Sequence, residues 1–244
     1  MSTARTIVIT GASSGLGFAL AKALIERGDN VVGNARTQAR LDQAAIELGN
    51  PAAFVGVAGD IADASTAQRL FDTALQVFGR VDILVNNAGI FIPKPFTDYT
   101  EQDIDALFAT NLKGFIYPSQ AAAKTMSAQG HGHIVAITAS VAMQPNVRVP
   151  AALPILVKGG LNQAVRGLAL ELAGSGVQVN AVAPGIIETP LHNNDVAGLG
   201  ILSPSGRTGK PQDIVDAVLY LTDARFVSGV VLPVDGGSTA GTWH

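Results

Sequence analysis

The segment Thr6-Ile7-Val8-Ile9-Thr10-Gly11-Ala12-Ser13-Ser14-Gly15-Leu16-Gly17 passes from a β-branched run into a glycine-rich turn, and a helical stretch follows it. Glycines at positions 11, 15 and 17 let the backbone turn tightly and approach a pyrophosphate group. A helix that begins at such a turn offers free N–H groups and a partial positive charge to the same group. The segment therefore predicts the first strand, a phosphate-binding turn and the first helix of an α/β domain.

Short β-branched runs alternate with longer helical patterns along the rest of the chain. The predicted strands are residues 6–10, 30–35, 53–57, 81–85, 133–138, 177–182 and 230–234. Such alternation is typical of parallel strands joined by right-handed crossovers. We therefore predict one α/β domain over residues 1–244, built on a doubly wound, seven-stranded parallel sheet with helices on both faces.

The composition argues against several classes of protein. Hydrophobic residues make up 48% of the chain and charged residues 14%, a balance that suits a sheet buried on both faces. The net charge of −3 and the lack of a basic run argue against a nucleic-acid partner. Because there is no cysteine, disulfides and thiolate metal sites are excluded, and we predict no metal site. Neither a signal-peptide pattern nor an apolar run of about 20 residues occurs, so we expect a cytoplasmic protein without a membrane span.

Local patterns also indicate helix boundaries. Residues 68–78 predict a helix whose apolar side chains recur at helical spacing: Leu70, Phe71, Ala74, Leu75 and Phe78. Asp63 is the expected N-cap of this helix, and Gly79 is its expected end. Thr100 followed by Asp103 resembles a capping box, with Asp in place of the usual Glu or Gln.

The end of the second predicted strand indicates which dinucleotide binds. A site that prefers NAD places an Asp or Glu there, to hold the ribose hydroxyls. This strand ends instead in Ala35-Arg36. A guanidinium group can pair with the 2′-phosphate that NADP carries and NAD lacks, so we predict NADP(H). The alternative is that Arg36 is a solvated surface residue, and Arg40 either assists it or lies on the surface.

Further motifs follow the glycine turn in a fixed order. They are Asp60-Ile61, Asn86-Asn87-Ala88-Gly89, Asn111-Leu112-Lys113-Gly114, Pro184-Gly185-Ile186-Ile187-Glu188-Thr189 and Val234-Asp235-Gly236-Gly237. With the turn at residues 10–17, this series resembles the TGxxxGxG, NNAG and PGxxxT motifs of the short-chain dehydrogenase/reductase family. The resemblance extends over the whole chain and implies a Rossmann fold that binds a nicotinamide dinucleotide.

Carried over position by position, the resemblance implies a set of cofactor contacts. They are Gly11, Ser13, Gly15, Leu16, Gly17, Arg36, Asp60, Ile61, Asn87, Ala88, Gly89, Lys158, Pro184, Gly185, Ile187 and Thr189. Two of these residues have alternative interpretations. Asp60 could cap a turn, and Asn87 could bond to the backbone of its own loop.

The catalytic residues that the resemblance implies are Asn111, Ser140 and Lys158. In the family, a Tyr four residues before the Lys gives or takes the substrate proton, and the Lys lowers the pKa of that Tyr. In this chain Pro154 occupies the position, and residues 151–156 contain no hydroxyl group. A proline is tolerated there if it lies in the first turn of a helix, where its missing N–H is not needed. The fold is therefore expected to survive a change that removes the usual proton donor.

Two hypotheses for the function remain open. The protein is an oxidoreductase with another proton source, such as water relayed through Asn111 and Lys158 or the imidazole of His192, or with a cationic substrate that needs no proton. Alternatively, it is a pseudoenzyme that binds NADP(H) as a sensor or structural partner.

The sequence also indicates features of the substrate side and of the assembly. Residues 188–208 are rich in small residues and are predicted to form a lid over the carboxyl edge of the sheet. The expected apolar walls suit a small-to-medium ligand: Val141, Ala142, Met143, Val147, Val149, Leu153, Leu191, Leu199, Ile201 and Leu202. Members of the family that this chain resembles use the helices that match residues 107–126 and 154–173 to form a dimer, and often a dimer of dimers. Small residues on these helices permit close approach, so the resemblance implies a homotetramer, with a dimer as the alternative.

Overall fold

A parallel sheet of seven strands runs through the centre of the molecule. The computed structural model describes residues 4–192 and 198–241, and in these ranges the strand order is β3-β2-β1-β4-β5-β6-β7. The strands are β1 (Thr6–Ile9), β2 (Asn30–Ala35), β3 (Phe54–Ala58), β4 (Ile83–Asn86), β5 (Gly132–Ile137), β6 (Val177–Pro184) and β7 (Val231–Val234). Every neighbouring pair is parallel. The predicted doubly wound sheet is confirmed.

Helices cover both faces of this sheet. They are α1 (Gly15–Glu26), α2 (Gln38–Glu47), α3 (Ala64–Phe78), α4 (Glu101–Leu107), α5 (Gly114–Gln129), α6 (Ala152–Leu172) and α7 (Pro211–Asp223). Residues of α1, α2 and α7 pack on one face, and residues of α3, α5 and α6 pack on the other. Within the described ranges, no helix combines the length and apolarity needed to cross a membrane.

The central strands are apolar on both faces because each face meets a helical layer. In β1, Ile7 and Ile9 contact the layer that contains α1 and α7, whereas Val8 contacts the opposite layer. All three side chains are fully buried. Complete burial of such a side chain stabilises the fold by about 1.5–3 kcal/mol, so the uninterrupted apolar run is what a parallel sheet in this position requires.

The predicted capping box is confirmed. The Asp103 N–H donates to Oγ1 of Thr100, and the Thr100 N–H donates to Oδ2 of Asp103 at 2.9 Å. Lys94 also donates to this carboxylate at 2.7 Å, and these donors lower the pKa of Asp103 to about 2. Asp therefore replaces Glu in the box without loss of the reciprocal hydrogen bonds.

The boundaries of α3 are also as expected, but one side chain of its stripe is not. The helix follows Asp63 and ends at Gly79, which adopts the left-handed conformation with φ of 76°. Asp63 makes no side-chain cap bond. Leu75 is 40% exposed and lies outside the core, because it stands at the edge of the stripe whose centre, at Leu70 and Ala74, faces the sheet. Leu75 therefore has the predicted helical spacing but is not buried with the rest of the stripe.

Strand β4 begins two residues later than predicted. The backbone of Val81 bonds to a side chain rather than to a neighbouring strand: its N–H donates to Oε1 of Gln129, and its carbonyl accepts from Nε2 of Gln129. These bonds hold Val81 outside the ladder. The backbone bonds to the neighbouring strands begin at Asp82, whose N–H donates to the Thr6 carbonyl at 2.8 Å and whose carbonyl accepts from the His133 N–H at 2.9 Å.

The chain order places a crevice at one edge of the sheet. From β1 the chain moves outward through β2 and β3, then returns to add β4 on the other side of β1. Loops that leave the carboxyl ends of β1 and β4 therefore diverge in opposite directions. Such switch points are where ligands bind in open α/β sheets.

Candidate active site

A cavity of about 1640 Å³ follows the carboxyl ends of the strands. It exceeds the roughly 300–1,000 Å³ of a typical small-ligand pocket, so it has room for an extended ligand and a second molecule. Most of the predicted site residues line it: Gly11, Ser13, Gly15, Leu16, Arg36, Asp60, Ile61, Asn87, Ala88, Gly89, Ser140, Lys158, Pro184, Gly185, Ile187 and Thr189. Gly17 and Asn111 do not.

The glycine turn depends on left-handed backbone conformations. Gly11 has φ of 69° and Gly15 has φ of 56°. A residue with a side chain would be strained in this left-handed region of the backbone. Glycine is required at position 17 for a steric reason, because a Cβ there would collide with the carbonyl oxygen of Gly11. The third glycine therefore allows α1 to pack closely against the turn.

The N-terminus of α1 suits an anion. Its N-cap Ser14 makes no side-chain cap bond, and the first turn carries no acidic residue. The first N–H groups of a helix have no intrahelical partners, and here no side chain in the described ranges satisfies them. With Gly15 and Leu16 on the cavity wall, these donors and the helix dipole fit a diphosphate group.

Two arginines stand beside the end of β2. Arg36 and Arg40 are both exposed, and both line the cavity. Among the described residues, no carboxylate lies within 4.0 Å of either guanidinium group, since neither takes part in an ion pair. This wall therefore carries unneutralised positive charge. Arg40, which the sequence left as either an assisting group or a surface residue, contributes to it.

Asp60 caps a turn, whereas Asn87 bonds to the glycine turn across the crevice. Asp60 accepts a hydrogen bond of 2.9 Å from the N–H of Ala62, as a turn cap does, and it also lines the cavity. Asn87 does not bond within its own loop. Its side-chain amide donates to the carbonyl oxygens of Thr10 and Gly11, at 2.9 and 3.1 Å.

Thr10 is a structural residue of the site that sequence reasoning missed. Its hydroxyl oxygen accepts from the backbone N–H groups of Asn87 and Ala88, each at 3.0 Å. The glycine turn and the loop after β4 are thus cross-linked at the switch point. A hydroxyl directly before the first glycine was the available signal.

Asn111 lies in a π-helical segment, Phe108–Lys113, between α4 and α5. Its Oδ1 accepts from the N–H of Ile90 at 2.9 Å, and its Nδ2 donates to the carbonyl oxygen of Ile90 at 3.0 Å. The side chain is 2% exposed. Ile90 forms one hydrogen bond with each end of the amide, so this side chain holds the loop after β4. Its role in a water relay stays a prediction.

Ser140 and Lys158 both line the cavity beyond the end of β5. Ser140 opens the short 3-10 helix Ser140–Ala142, and its hydroxyl has no hydrogen-bond partner among the described residues. Lys158 lies in the second turn of α6, and its Nζ donates to the carbonyl oxygen of Ile137 at 2.9 Å. The lysine is buried, and desolvation lowers its pKa to about 8 because burial penalises the charged form.

Gly89 gives Lys158 this position. A Cβ on Gly89 would lie 3.2 Å from Nζ of Lys158 and 3.0 Å from Oδ1 of Asn111. Both distances are tighter than ordinary van der Waals contact. The last glycine of the NNAG turn therefore leaves the space into which the lysine head group fits.

Pro154 is buried in the first turn of α6. This is the position at which a helix tolerates proline, as expected from the sequence. It does not line the cavity. No tyrosine or histidine appears among the described lining residues; Tyr99, for example, donates its hydroxyl to the carbonyl oxygen of Ile92. The side chain of His192 lies outside the described residues, so its proposed role stays a prediction.

The expected substrate walls are only partly correct. Val141, Val147, Val149, Leu191, Leu199 and Leu202 line the cavity. The others do not: Ala142 and Met143 line a separate small cavity, Leu153 packs against Leu107 and Val157, and Ile201 is 67% exposed. Side chains in a tight 3-10 turn point in different directions from those at the start of a helix. Closeness in the sequence therefore does not show which of them face the cavity. Arg148 and Gln144, which were not predicted, add polar groups to this wall.

The ends of the predicted lid are tied together. The Glu188 N–H donates to the Gly209 carbonyl at 2.9 Å, and the Thr208 hydroxyl donates to the Glu188 carboxylate at 2.8 Å. Between these ends the chain forms two short 3-10 helices, Pro190–His192 and Leu199–Leu202, and residues 193–197 lie outside the described ranges. Leu191, Leu199 and Leu202 bring the segment to the cavity.

Curated relatives match nearly the whole chain. It is 35% identical to an L-rhamnose 1-dehydrogenase (NAD(P)(+)) of Sphingomonas sp. (strain SKA58), over 96% of this chain and 95% of that protein. It is also 35% identical to a granaticin polyketide synthase putative ketoacyl reductase 2 of Streptomyces violaceoruber, over 95% of this chain and 94% of the relative.

Solved structures share the fold over the same length. A 3-ketoacyl-(acyl-carrier-protein) reductase of Brucella melitensis, complexed with NADH, superposes with a TM-score of 0.90 at 30% identity, over 96% of this chain and 98% of that one. ElxO with NADP bound gives 0.92 at 25% identity, over 98% and 100%. The family model for short chain dehydrogenases matches residues 5–199. With its glycine turn, its sheet order and its buried lysine beside β5, this chain belongs to the short-chain dehydrogenase/reductase family.

Proposed function

We propose that the protein is an NADP(H)-dependent oxidoreductase that interconverts a carbonyl, enone or imine of small-to-medium size and its reduced form. One observation carries the proposal: a single cavity is lined at one end by the glycine turn and Arg36, and at the other by Ser140 and Lys158. A dinucleotide bound along the first end would bring its nicotinamide to the second. The active site is non-standard, because Pro154 stands where the family has its Tyr.

The preference for NADP(H) rests on local charge. The relatives are divided, since their names include NADH, NADP and NAD(P)(+). In this chain Arg36 and Arg40 face the cavity beside β2, without a described carboxylate to neutralise them. A 2′-phosphate would supply the missing negative charge in a charge-assisted, bidentate contact.

Each end of the cavity would then have a defined task. When bound, the cofactor supplies or accepts a hydride at the substrate carbon. The free N–H groups of α1 would hold the diphosphate, and the hydroxyl of Ser140, which has no described protein partner, would donate a hydrogen bond to the substrate oxygen. The apolar residues Val141, Val149 and Leu202 would exclude water from the reacting atoms.

The second candidate function is an NADP(H)-binding pseudoenzyme that acts as a sensor or structural partner. The observation that favours it is the loss of the usual acid: Pro154 has no ionisable group, and the described lining offers no phenol or imidazole. Cofactor binding would survive this loss, because the turn, Arg36 and Lys158 do not depend on the Tyr.

One paired experiment separates the two candidates. Calorimetric titration with NADPH tests binding, and NADPH consumption against a panel of ketones, aldehydes, enones and imines tests chemistry. Binding with turnover supports the oxidoreductase. Binding without turnover of any panel member supports the pseudoenzyme, and the absence of binding would exclude both.

We also propose a homotetramer, with a dimer as the alternative. Alongside the small residues of α5 and α6, apolar side chains stand exposed on these helices: Ile116 is 43%, Leu156 is 63% and Leu170 is 82% exposed. A second copy would cover them. Light scattering at micromolar concentration checks the assembly, and a monomer would contradict it.

A further inference from the structure

The reacting end of the cavity offers few groups that can give up a proton. Its described polar side chains are Thr110, Thr138, Ser140, Gln144, Asn146, Arg148, Lys158 and Thr189, with Ser238 at the rim. Hydroxyl and amide groups do not ionise near neutral pH, and a guanidinium group does not deprotonate in proteins. The one carboxylate of the described lining, Asp60, follows β3 at the opposite end of the cavity. Among the described lining residues, Lys158 is the group that can donate a proton.

The head group of Lys158 is placed to serve a substrate oxygen. An ammonium group has three donors, and among the described residues Nζ uses one of them, on the carbonyl oxygen of Ile137. Ile137 is the last residue of β5, and Ser140 opens the 3-10 helix that begins three residues later. Ile137, Ser140 and Lys158 all line the cavity, so the lysine nitrogen and the serine hydroxyl belong to one region of its wall. A carbonyl oxygen held by Ser140 would lie within reach of a remaining N–H.

The turn of α6 that precedes Lys158 supplies no hydroxyl group, since residues 151–157 contain none. Pro154 stands one helical turn before the lysine, on the same side of α6, and its ring is buried without reaching the cavity. We propose that the ammonium group of Lys158 itself donates the proton to the substrate oxygen in reduction, and that the neutral amine accepts it in oxidation. This inference rests on the proposed oxidoreductase function and supplies its missing acid.

The step balances without another reactant. The substrate carbon gains a hydride from the bound dihydronicotinamide, which is oxidised, and the π electrons of the carbonyl move to its oxygen. An O–H bond forms there as one N–H bond of Lys158 breaks. The amine left behind recovers its proton from water, so that one carbonyl, one NADPH and one proton give an alcohol and NADP⁺.

The electrostatic surroundings support this assignment. Burial lowers the pKa of Lys158 to about 8, and no charged side chain among the described residues contributes to this shift. A general acid is most effective when its pKa lies close to the working pH. An ordinary lysine, with a pKa of about 10.4, would be a much weaker acid.

The first test needs no turnover. In the cofactor-free protein labelled with ¹⁵N-lysine, the Nζ resonance that disappears in Lys158→Met should titrate near pH 8. A midpoint near 10.4, the value of a free lysine, would overturn the proposal. Lys22→Arg is the matched control, because Lys22 is an exposed lysine on α1 that does not line the cavity.

The second test separates proton donation from cofactor holding. Lys158→Arg keeps the charge and the donors but cannot release a proton, so NADPH affinity should change by no more than a few fold while kcat falls about 10²–10⁴-fold. Lys158→Ala should lose both binding and turnover. Added methylammonium should then restore turnover, and a series of amines should show rates that follow the pKa of the amine.

The outcomes distinguish this proposal from the one it rests on. If the unaltered protein binds NADPH but reduces nothing in the panel, the oxidoreductase function fails, and the proton-donor role fails with it. If it reduces a ketone and Lys158→Arg retains full kcat with the same pH profile, only the proton-donor role is overturned.

Discussion

The side-chain amide of Asn87 donates a hydrogen bond of 3.1 Å to the carbonyl oxygen of Gly11, across the crevice between β1 and β4. The same amide reaches the carbonyl oxygen of Thr10 at 2.9 Å. Gly17 makes room for this arrangement, because a Cβ there would collide with Gly11 and press against the Asn87 amide. The phosphate-binding turn is therefore held by the loop after β4 rather than by its own sequence alone.

Replacing Asn87 by alanine should destabilise the protein and weaken cofactor binding together. The change removes two hydrogen bonds and leaves two carbonyl groups without these donors, which costs about 1–3 kcal/mol in the free energy of unfolding. Urea denaturation and NADPH titration measure the two effects. Gln68→Ala on the exposed face of α3 is the control and should stay within about 0.5 kcal/mol. An Asn87→Ala protein with unchanged NADPH affinity would show that the turn is rigid without this residue.

A methyl group at Gly89 should displace Lys158. The Cβ of Gly89→Ala would lie 3.2 Å from Nζ, and the flexible lysine can move more easily than the buried Asn111 amide. We expect ketone turnover to fall at least tenfold. The free energy of unfolding should change by less than the free-energy equivalent of that loss. Gly174→Ala, where a Cβ meets nothing within 4 Å, is the matched control. Equal kinetics in the two variants would contradict the close fit of the lysine head group.

Arg36→Ala should remove most of the preference for NADPH over NADH. Loss of a bidentate, charge-assisted contact costs about 1.5–3 kcal/mol, which is about a tenfold to hundredfold change in affinity. Calorimetry with both cofactors gives the ratio for each variant. NADH affinity should stay nearly constant, and the exposed Arg225→Ala should leave both affinities unchanged. If the unaltered protein binds the two cofactors equally, Arg36 is a solvated surface residue.

The type of sheet and the position of the glycine turn could be predicted because they depend on patterns that are local in the sequence. Alternating β-branched and amphipathic segments determine a doubly wound sheet, and Thr100 with Asp103 determines where a helix begins. The contacts of Asn111 could not be predicted, since they arise from a π-helical segment that turns its amide towards Ile90. Met143 likewise faces a second cavity because a 3-10 turn redirects it. Side-chain direction after irregular turns is a tertiary property.

Burial of Lys158 should appear in the pH dependence of stability. The folded protein holds this group with a pKa of about 8, whereas the unfolded chain has the ordinary value of 10.5. Between these values the unfolded state binds more protons, so stability rises as the pH rises through this window. Relative to Lys158→Met, the free energy of unfolding should increase by about 3 kcal/mol from pH 7.5 to pH 10.5. A difference between the two proteins that does not change with pH would mean that the ammonium group is well solvated.

Pro154→Tyr should introduce a phenol, which is absent from the described lining of the cavity. Position 154 lies in the first turn of α6, where a residue with an N–H is as acceptable as proline. The larger ring must enter a buried position, at a cost of about 1–3 kcal/mol in stability from overpacking. If the hydroxyl reaches the space between Ser140 and Lys158, ketone turnover should rise, up to the roughly 10²-fold that a positioned acid contributes at the low end.

Pro154→Phe is the decisive control, because it introduces the same ring without the hydroxyl. Turnover that rises in the Tyr variant alone assigns the gain to proton donation. A rise in both variants would assign it to repacking of the helix start instead. In Pro154→Tyr the replacement Lys158→Arg should also cost less than in the unaltered protein, since the phenol would then supply the proton that the lysine otherwise gives. An equal cost in both backgrounds would show that the two groups do not share this task.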